Sequence, residues 1–191
     1  MKVSTNGGGN LKNIIKFTFF PFLMGFFLSL QSCTIFAPSN PLIGPTSFEK
    51  WRNSQYWDEG AYFNYDALGT EVFTFQKFFK EDKFKLVIFG SIYCDECLKN
   101  IPILVKVTEA VRFPQDKILF YGLDEYSTEP TKFYKKFDVG ITPAVFLEFD
   151  DGQTYRVERG LDWLKSINQV LLSRFAQIQK EEHRKENEQR D

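Results

Sequence analysis

Apolar residues along this chain recur in two rhythms, short unbroken runs and helical three-four spacing, and the two rhythms alternate. The run from Phe84 to Gly90 is so apolar that a strand there predicts cover on both faces. Ile118 to Leu123 and Ala144 to Phe149 read as further strands, and Thr154 to Glu158 as another, joined to its predecessor by the hairpin signal Asp150-Asp151-Gly152. Thr70 to Phe73 is read as a first strand. Helical spacing fills the gaps. Thr46-Ser47-Phe48-Glu49 matches a capping box and opens a short helix through about Trp57. Thr74 caps a segment that turns Phe75, Phe78 and Phe79 to one side. Leu98 to Val111 places Leu98, Ile101, Leu104, Val105 and Thr108 on one face, with Pro102 predicted to kink it. Glu129 to Phe137 turns Phe133, Tyr134 and Phe137 inward. After Gly160 a long helix aligns Leu161, Leu164, Ile167, Leu171, Phe175 and Ile178. The order β-α-β-α-β-α-β-β-α predicts one α/β domain, a mixed central sheet with helices on both faces.

Both ends of the chain depart from this alternation. Residues 1–32 hold a basic stretch (Lys2, Lys12, Lys16), an apolar run from Phe17 to Leu30, and then Leu30-Gln31-Ser32-Cys33. That layout is a signal peptide ending at a cysteine, and the tetrapeptide resembles a relaxed bacterial lipobox, with Cys33 the residue to be lipidated. An uncleaved transmembrane helix is the alternative, but Ile14 to Leu30 is short for a span and contains Lys16 and Pro21. Either reading ties the domain to a membrane and places it in the cell envelope, facing the periplasm or the exterior. Residues 33–46, with Pro38, Pro41 and Pro45, read as the lipidated cysteine and an extended tether. Residues 47–69 form an aromatic extension (Trp51, Tyr56, Trp57, Tyr62, Phe63, Tyr65) expected to pack on the core rather than to bind a ligand. Residues 180–191 are almost wholly polar and read as a solvated charged tail.

Composition narrows the chemistry. The chain has 191 residues with 22 phenylalanines, ample for one core. Of 24 basic side chains three lie in residues 1–32, which hold no acid, so 21 face 25 acidic ones in the remainder. No basic footprint for nucleic acid exists. The three cysteines are Cys33, Cys94 and Cys97, and His183, the sole histidine, sits in the charged tail. A Cys–His nucleophile pair and a closed zinc site are therefore disfavoured, and no cofactor or metal is expected. With Cys33 lipidated, one dithiol remains.

That dithiol, Cys94-Asp95-Glu96-Cys97, sits where the most apolar strand gives way to a helix. A thiolate there gains from unpaired backbone N–H groups and from the positive end of the helix dipole. The thiolate is the nucleophile of disulfide exchange. Asp95 and Glu96 bring two carboxylates into the same turn and offset that help, which favours the disulfide form and a reductant or isomerisation helper over a strong oxidase.

Over about residues 70–179 the chain resembles the thioredoxin-like family of C-x-x-C oxidoreductases. The resemblance rests on Cys94 and Cys97 after a central strand, Pro102 five residues beyond the second cysteine, Ile141-Thr142-Pro143-Ala144 ahead of a strand, and Gly152 and Gly160. It implies a thioredoxin-like fold with Cys94 as the exposed attacking thiol and Cys97 as the buried resolving thiol. It also implies a cis Thr142–Pro143 bond, with Tyr93, Thr142 and Pro143 lining a substrate groove. Two departures stand out. C-D-E-C replaces the common C-G-P-C, and Ile88 stands where many thioredoxins bury a proton-handling acid, so proton transfer is assigned to water or Glu96.

Together these readings predict an exported, membrane-anchored thiol–disulfide oxidoreductase acting on disulfide-containing exported proteins, with electrons from a membrane thiol reductase. The competing reading is a redox-silent lipoprotein of the same fold that serves as a binding module.

Overall fold

The structure, a computed structural model, describes residues 42–158, 160 and 162–190. The proposed signal peptide and Cys33 lie outside them. Five strands form one mixed sheet in the order β1-β3-β2-β4-β5: β1 Gly44–Thr46, β2 Phe84–Ser91, β3 Ile118–Leu123, β4 Ala144–Phe149 and β5 Thr154–Val157. β2 and β3 are parallel, pairing Leu86 with Ile118 and Ser91 with Leu123, while the other pairs are antiparallel. Among the described residues five α-helices accompany them: α1 Phe48–Arg52, α2 Glu59–Asn64, α3 Gly69–Glu81, α4 Asp95–Ala110 and α5 Trp163–Glu188.

Alternation along β2 divides the core in two. Phe84, Leu86 and Ile88 point to one face, where Ile101, Leu104 and Val105 of α4, Phe75 and Phe78 of α3, and Leu164, Ile167 and Leu171 of α5 cover them. Val87 and Phe89 point to the other, joined by Leu123, Val139, Ala144 and Phe146. Both faces of β2 are thus dry, as its composition requires. Burying each such side chain is worth about 1.5–3 kcal/mol.

The second face carries less helix than its spacing predicts. Only a 3-10 turn, Phe133–Lys136, forms within residues 129–137. Lys132 adopts a left-handed φ of 58°, which ends any α-helix there. The buried Glu129 carboxylate instead accepts from the backbone N–H groups of Thr131, Phe133 and Tyr134. Phe133 and Phe137 nevertheless reach Phe89, at centroid separations of 6.3 and 5.3 Å.

The N-terminal half holds two corrections. Thr70 to Phe73 is not a strand but the start of α3, which keeps Phe75 and Phe78 buried and leaves Phe73 exposed. Four residues are too few to outweigh the helical spacing that continues into Phe78. The fifth strand is β1, inside the segment 33–46 read as tether. Gly44, Pro45 and Thr46 pair with Gly122, Tyr121 and Phe120, and Leu42 is buried, so a spacer cannot run as far as residue 46. A Cβ on Gly122 would lie 1.5 Å from the Leu42 carbonyl oxygen, so this edge closes only over glycine. Pro45 is tolerated because β1 is an edge strand.

Helix α1 also starts later than the capping box implied. Ser47, not Thr46, is the N-cap, accepting from the Lys50 N–H at 3.2 Å, because Thr46 is already paired in the sheet. In the aromatic extension Phe48 and Trp51 each lie 5.5 Å from the Phe120 ring, whereas Phe63 is 66% exposed. At the other end α5 continues through Glu188, so the polar tail is exposed helix. One buried side chain fastens this long helix. Arg174 pairs with Asp82 at 2.5 Å and with Asp151 at 2.9 Å, and its guanidinium lies 3.9 Å from the centre of the Phe149 ring.

Candidate functional site

Strand β2 ends at Ser91, and three residues later the chain turns into α4. Cys94 is the N-cap of that helix in extended conformation, and its sulfur accepts from the Cys97 N–H at 3.1 Å. A thiol thereby takes the capping role usually held by a hydroxyl or carboxylate oxygen. The helix then runs through Pro102, which is buried and removes one backbone donor.

The two sulfurs are 2.7 Å apart, Cys94 partly exposed and Cys97 fully buried. Burial pushes the Cys97 thiol up to about 12, and its hydrogen bond with Cys94 adds to the rise. The Thr142 and Ser91 groups work the other way and are outweighed. The two cysteines are therefore unequal. Cys94 meets solvent, whereas Cys97 keeps its proton until something removes it.

Forty-eight residues further along the chain, the Thr142 carbonyl oxygen accepts from the Cys94 thiol at 3.3 Å. Thr142–Pro143 is a cis peptide bond, and Pro143 is buried at the start of β4, which lies beside β2 with Ala144 opposite Phe89. A dithiol at a helix start, facing a cis-proline on the neighbouring strand, within a sheet flanked by these helices, is a specific arrangement. The fold is thioredoxin-like.

No family model matches the sequence, and no curated protein does. Among solved structures, the solution structure of the first thioredoxin domain of mouse protein disulfide-isomerase A4 aligns at 20% identity with a TM-score of 0.36, covering 52% of this chain and 68% of that one. The thioredoxin-like assignment rests on strand order and on the placement of Cys94 against Thr142–Pro143.

Large side chains stand exposed close in sequence to these residues. Tyr93, next to Cys94, is 59% exposed, and Ile141, next to Thr142, is 77% exposed. Tyr126 is 78% exposed in the loop after β3. Because β3 runs parallel to β2, with Leu123 opposite Ser91, this loop leaves the sheet at the same end as the dithiol. Asp124 marks the turn that carries Tyr126. That carboxylate accepts from the Tyr126 and Thr128 N–H groups, bonds that hold it below the usual aspartate range.

Asp95 and Glu96 are exposed in the first turn of α4. Glu96 is hydrogen-bonded along its own helix. Its carboxylate and carbonyl accept from the Asn100 amide at 3.3 and 2.7 Å, and the Asn100 oxygen accepts from the Trp163 indole N–H at 2.9 Å. Ile88 is fully buried, so no acid replaces it at that position. The Asn100–Trp163 bond joins the dithiol helix to α5, and its 63-residue separation left no signal in the sequence pattern.

Among the described residues no group of three or more His, Cys, Asp or Glu is placed to hold a metal ion, and no helix is long and apolar enough to cross a membrane.

Proposed function

We propose that the protein is an exported, membrane-anchored thiol–disulfide oxidoreductase that reduces or exchanges disulfides in other exported proteins. The observation that carries this reading is the pair of free thiols 2.7 Å apart at the start of α4, with the Cys94 sulfur 3.3 Å from the carbonyl before a cis-proline. In the proposed reaction the Cys94 thiolate attacks one sulfur of a substrate disulfide. The substrate S–S bond breaks, its second sulfur leaves with the electron pair and takes a proton, and a mixed disulfide forms. Cys97 then gives up its proton and attacks the Cys94 sulfur. This frees the second substrate thiol and leaves Cys94 and Cys97 oxidised. Two electrons pass to the substrate, and a membrane thiol reductase returns them.

Asp95 and Glu96 support the reducing direction, since negative charge in the first turn disfavours the thiolate form on which a strong oxidant depends. The membrane address comes from the sequence of residues 1–33, with Cys33 carrying the lipid.

The test is thiol titration before and after reductant, with disulfide reduction assayed for the intact protein and for Cys94→Ser. Two thiols that cycle, and loss of activity in the variant, are expected. Thiols that cannot cycle, or a fully active variant, would remove the redox reading and leave the binding-module alternative. Radiolabelled palmitate incorporation in a bacterial host, lost in Cys33→Ala, tests the anchor.

A further inference from the structure

Arg156 lies in β5 directly across from Phe146 of β4, and its guanidinium stands over that ring at 5.6 Å from the centroid. Its fork reaches past β4 to the chain that leads into the site. One terminal nitrogen donates to the carbonyls of Asp138 and Val139, the latter at 2.9 Å, and the other donates to the Ile141 carbonyl at 3.3 Å. Three carbonyls within four residues, all just before Thr142–Pro143, converge on one side chain.

This segment has no strand to satisfy it. Residues 138–141 precede β4 and belong to no helix, so their carbonyls need donors from elsewhere. Gly140 takes a left-handed φ of 52°, and a Cβ there would lie 3.5 Å from the Arg156 nitrogen. On the inner side Val139 is buried with Phe89, Phe137 and Phe146. The loop is thus held between an apolar anchor within and a guanidinium fork along the sheet edge. Arginine suits the task because its planar group presents several donors in fixed directions.

We infer that Arg156 is a positioning residue for the dithiol: it holds the loop that sets the Thr142 carbonyl against the Cys94 sulfur. This rests on reading Cys94 as the reactive thiol. Arg156 hydrogen-bonds to neither cysteine among the described residues; it acts through residues 138–141 on the carbonyl 3.3 Å from Cys94.

Arg156→Met and Arg156→Lys in the reduced full-length protein test it. The readouts are the rate of Cys94 alkylation by iodoacetamide, hydrogen–deuterium exchange over residues 138–143, and the thermal unfolding midpoint. Arg156→Met is expected to alkylate about three- to tenfold faster, the worth of one ordinary hydrogen bond, with faster exchange confined to that loop. Arg156→Lys, which keeps a cation within reach of a carbonyl, is expected within about twofold of the parent. An unchanged alkylation rate in Arg156→Met overturns the inference whatever happens to the midpoint, and so does a lysine variant altered as much as the methionine one. Should Arg156→Met fail to fold, Arg156→Gln is judged by the same rates. No readout uses a disulfide substrate, so a parent protein that cannot cycle its thiols sinks the proposed function while these rates still decide the role of Arg156.

Discussion

The Thr142 carbonyl oxygen and the Cys94 sulfur lie 3.3 Å apart, joining the strand that opens at a cis-proline to the helix that opens at the dithiol. That contact places a backbone acceptor over the partly exposed thiol and leaves Cys97 shut beneath it. The two cysteines therefore differ in what can reach them. In the Cys97→Ser protein, attack by Cys94 on a substrate disulfide is expected to stop at the mixed disulfide, because the described residues contain no other cysteine to release it. Mass spectrometry under non-reducing conditions should show covalent adducts in Cys97→Ser and none in Cys94→Ser. Adducts of equal abundance in both would remove the distinction, and adducts confined to Cys94→Ser would reverse the roles.

Under the proposed function, charge between the cysteines bears on the direction of electron flow. Asp95 and Glu96 are exposed in the first turn of α4, where each carboxylate offsets about 0.3–1 kcal/mol of dipole stabilisation. Asp95→Asn with Glu96→Gln should make the couple more oxidising by roughly 10–40 mV, the electrical equivalent of two such terms. Equilibration against glutathione measures it. A shift toward a more reducing potential would refute the argument.

The buried thiol makes stability depend on pH. Burial raises Cys97 in the folded protein to about 12, against about 8.5 for an unfolded cysteine. A group with a raised folded value contributes stability fully below the unfolded value and loses it as pH climbs through the folded one. The reduced protein should therefore weaken progressively from about pH 8.5 upward, whereas the oxidised protein, which has no Cys97 proton to lose, lacks this contribution. Denaturant midpoints of the two forms at pH 7 and pH 10 should diverge in favour of the oxidised form. A constant difference would show that Cys97 is not desolvated as described.

Arg174 gives a structural prediction independent of the dithiol. It ties α5 to Asp82 at the end of α3 and to Asp151 in the hairpin turn, while its partners retain solvent access. Arg174→Met, which keeps apolar contact with Phe149, should cost about 1–3 kcal/mol. Arg174→Ala should cost more, since the stem's packing is lost as well. Urea denaturation of both variants decides the order, and equal costs would mean that the stem contributes nothing.

Local information in the chain determined the parts that local forces build. The apolar run from Leu86 to Gly90 made β2 a doubly covered strand, Asp151-Gly152 made a hairpin, and two thiols three positions apart at a helix start marked the site. Thr142-Pro143 was legible by its dipeptide and by the strand after it. Tertiary structure decided what depends on chain segments meeting. It made Gly44–Thr46 the edge strand because Gly122 leaves room for Leu42, and it made residues 70–73 helical because Phe75 and Phe78 fit against the core. It shortened the helix over 129–137 to one turn, since the Glu129 carboxylate took the backbone donors there. Arg156 and the Asn100–Trp163 bond belong to the same class. A side chain's choice of carbonyl is fixed by which loop the sheet brings beside it, and no periodicity along the chain records that choice.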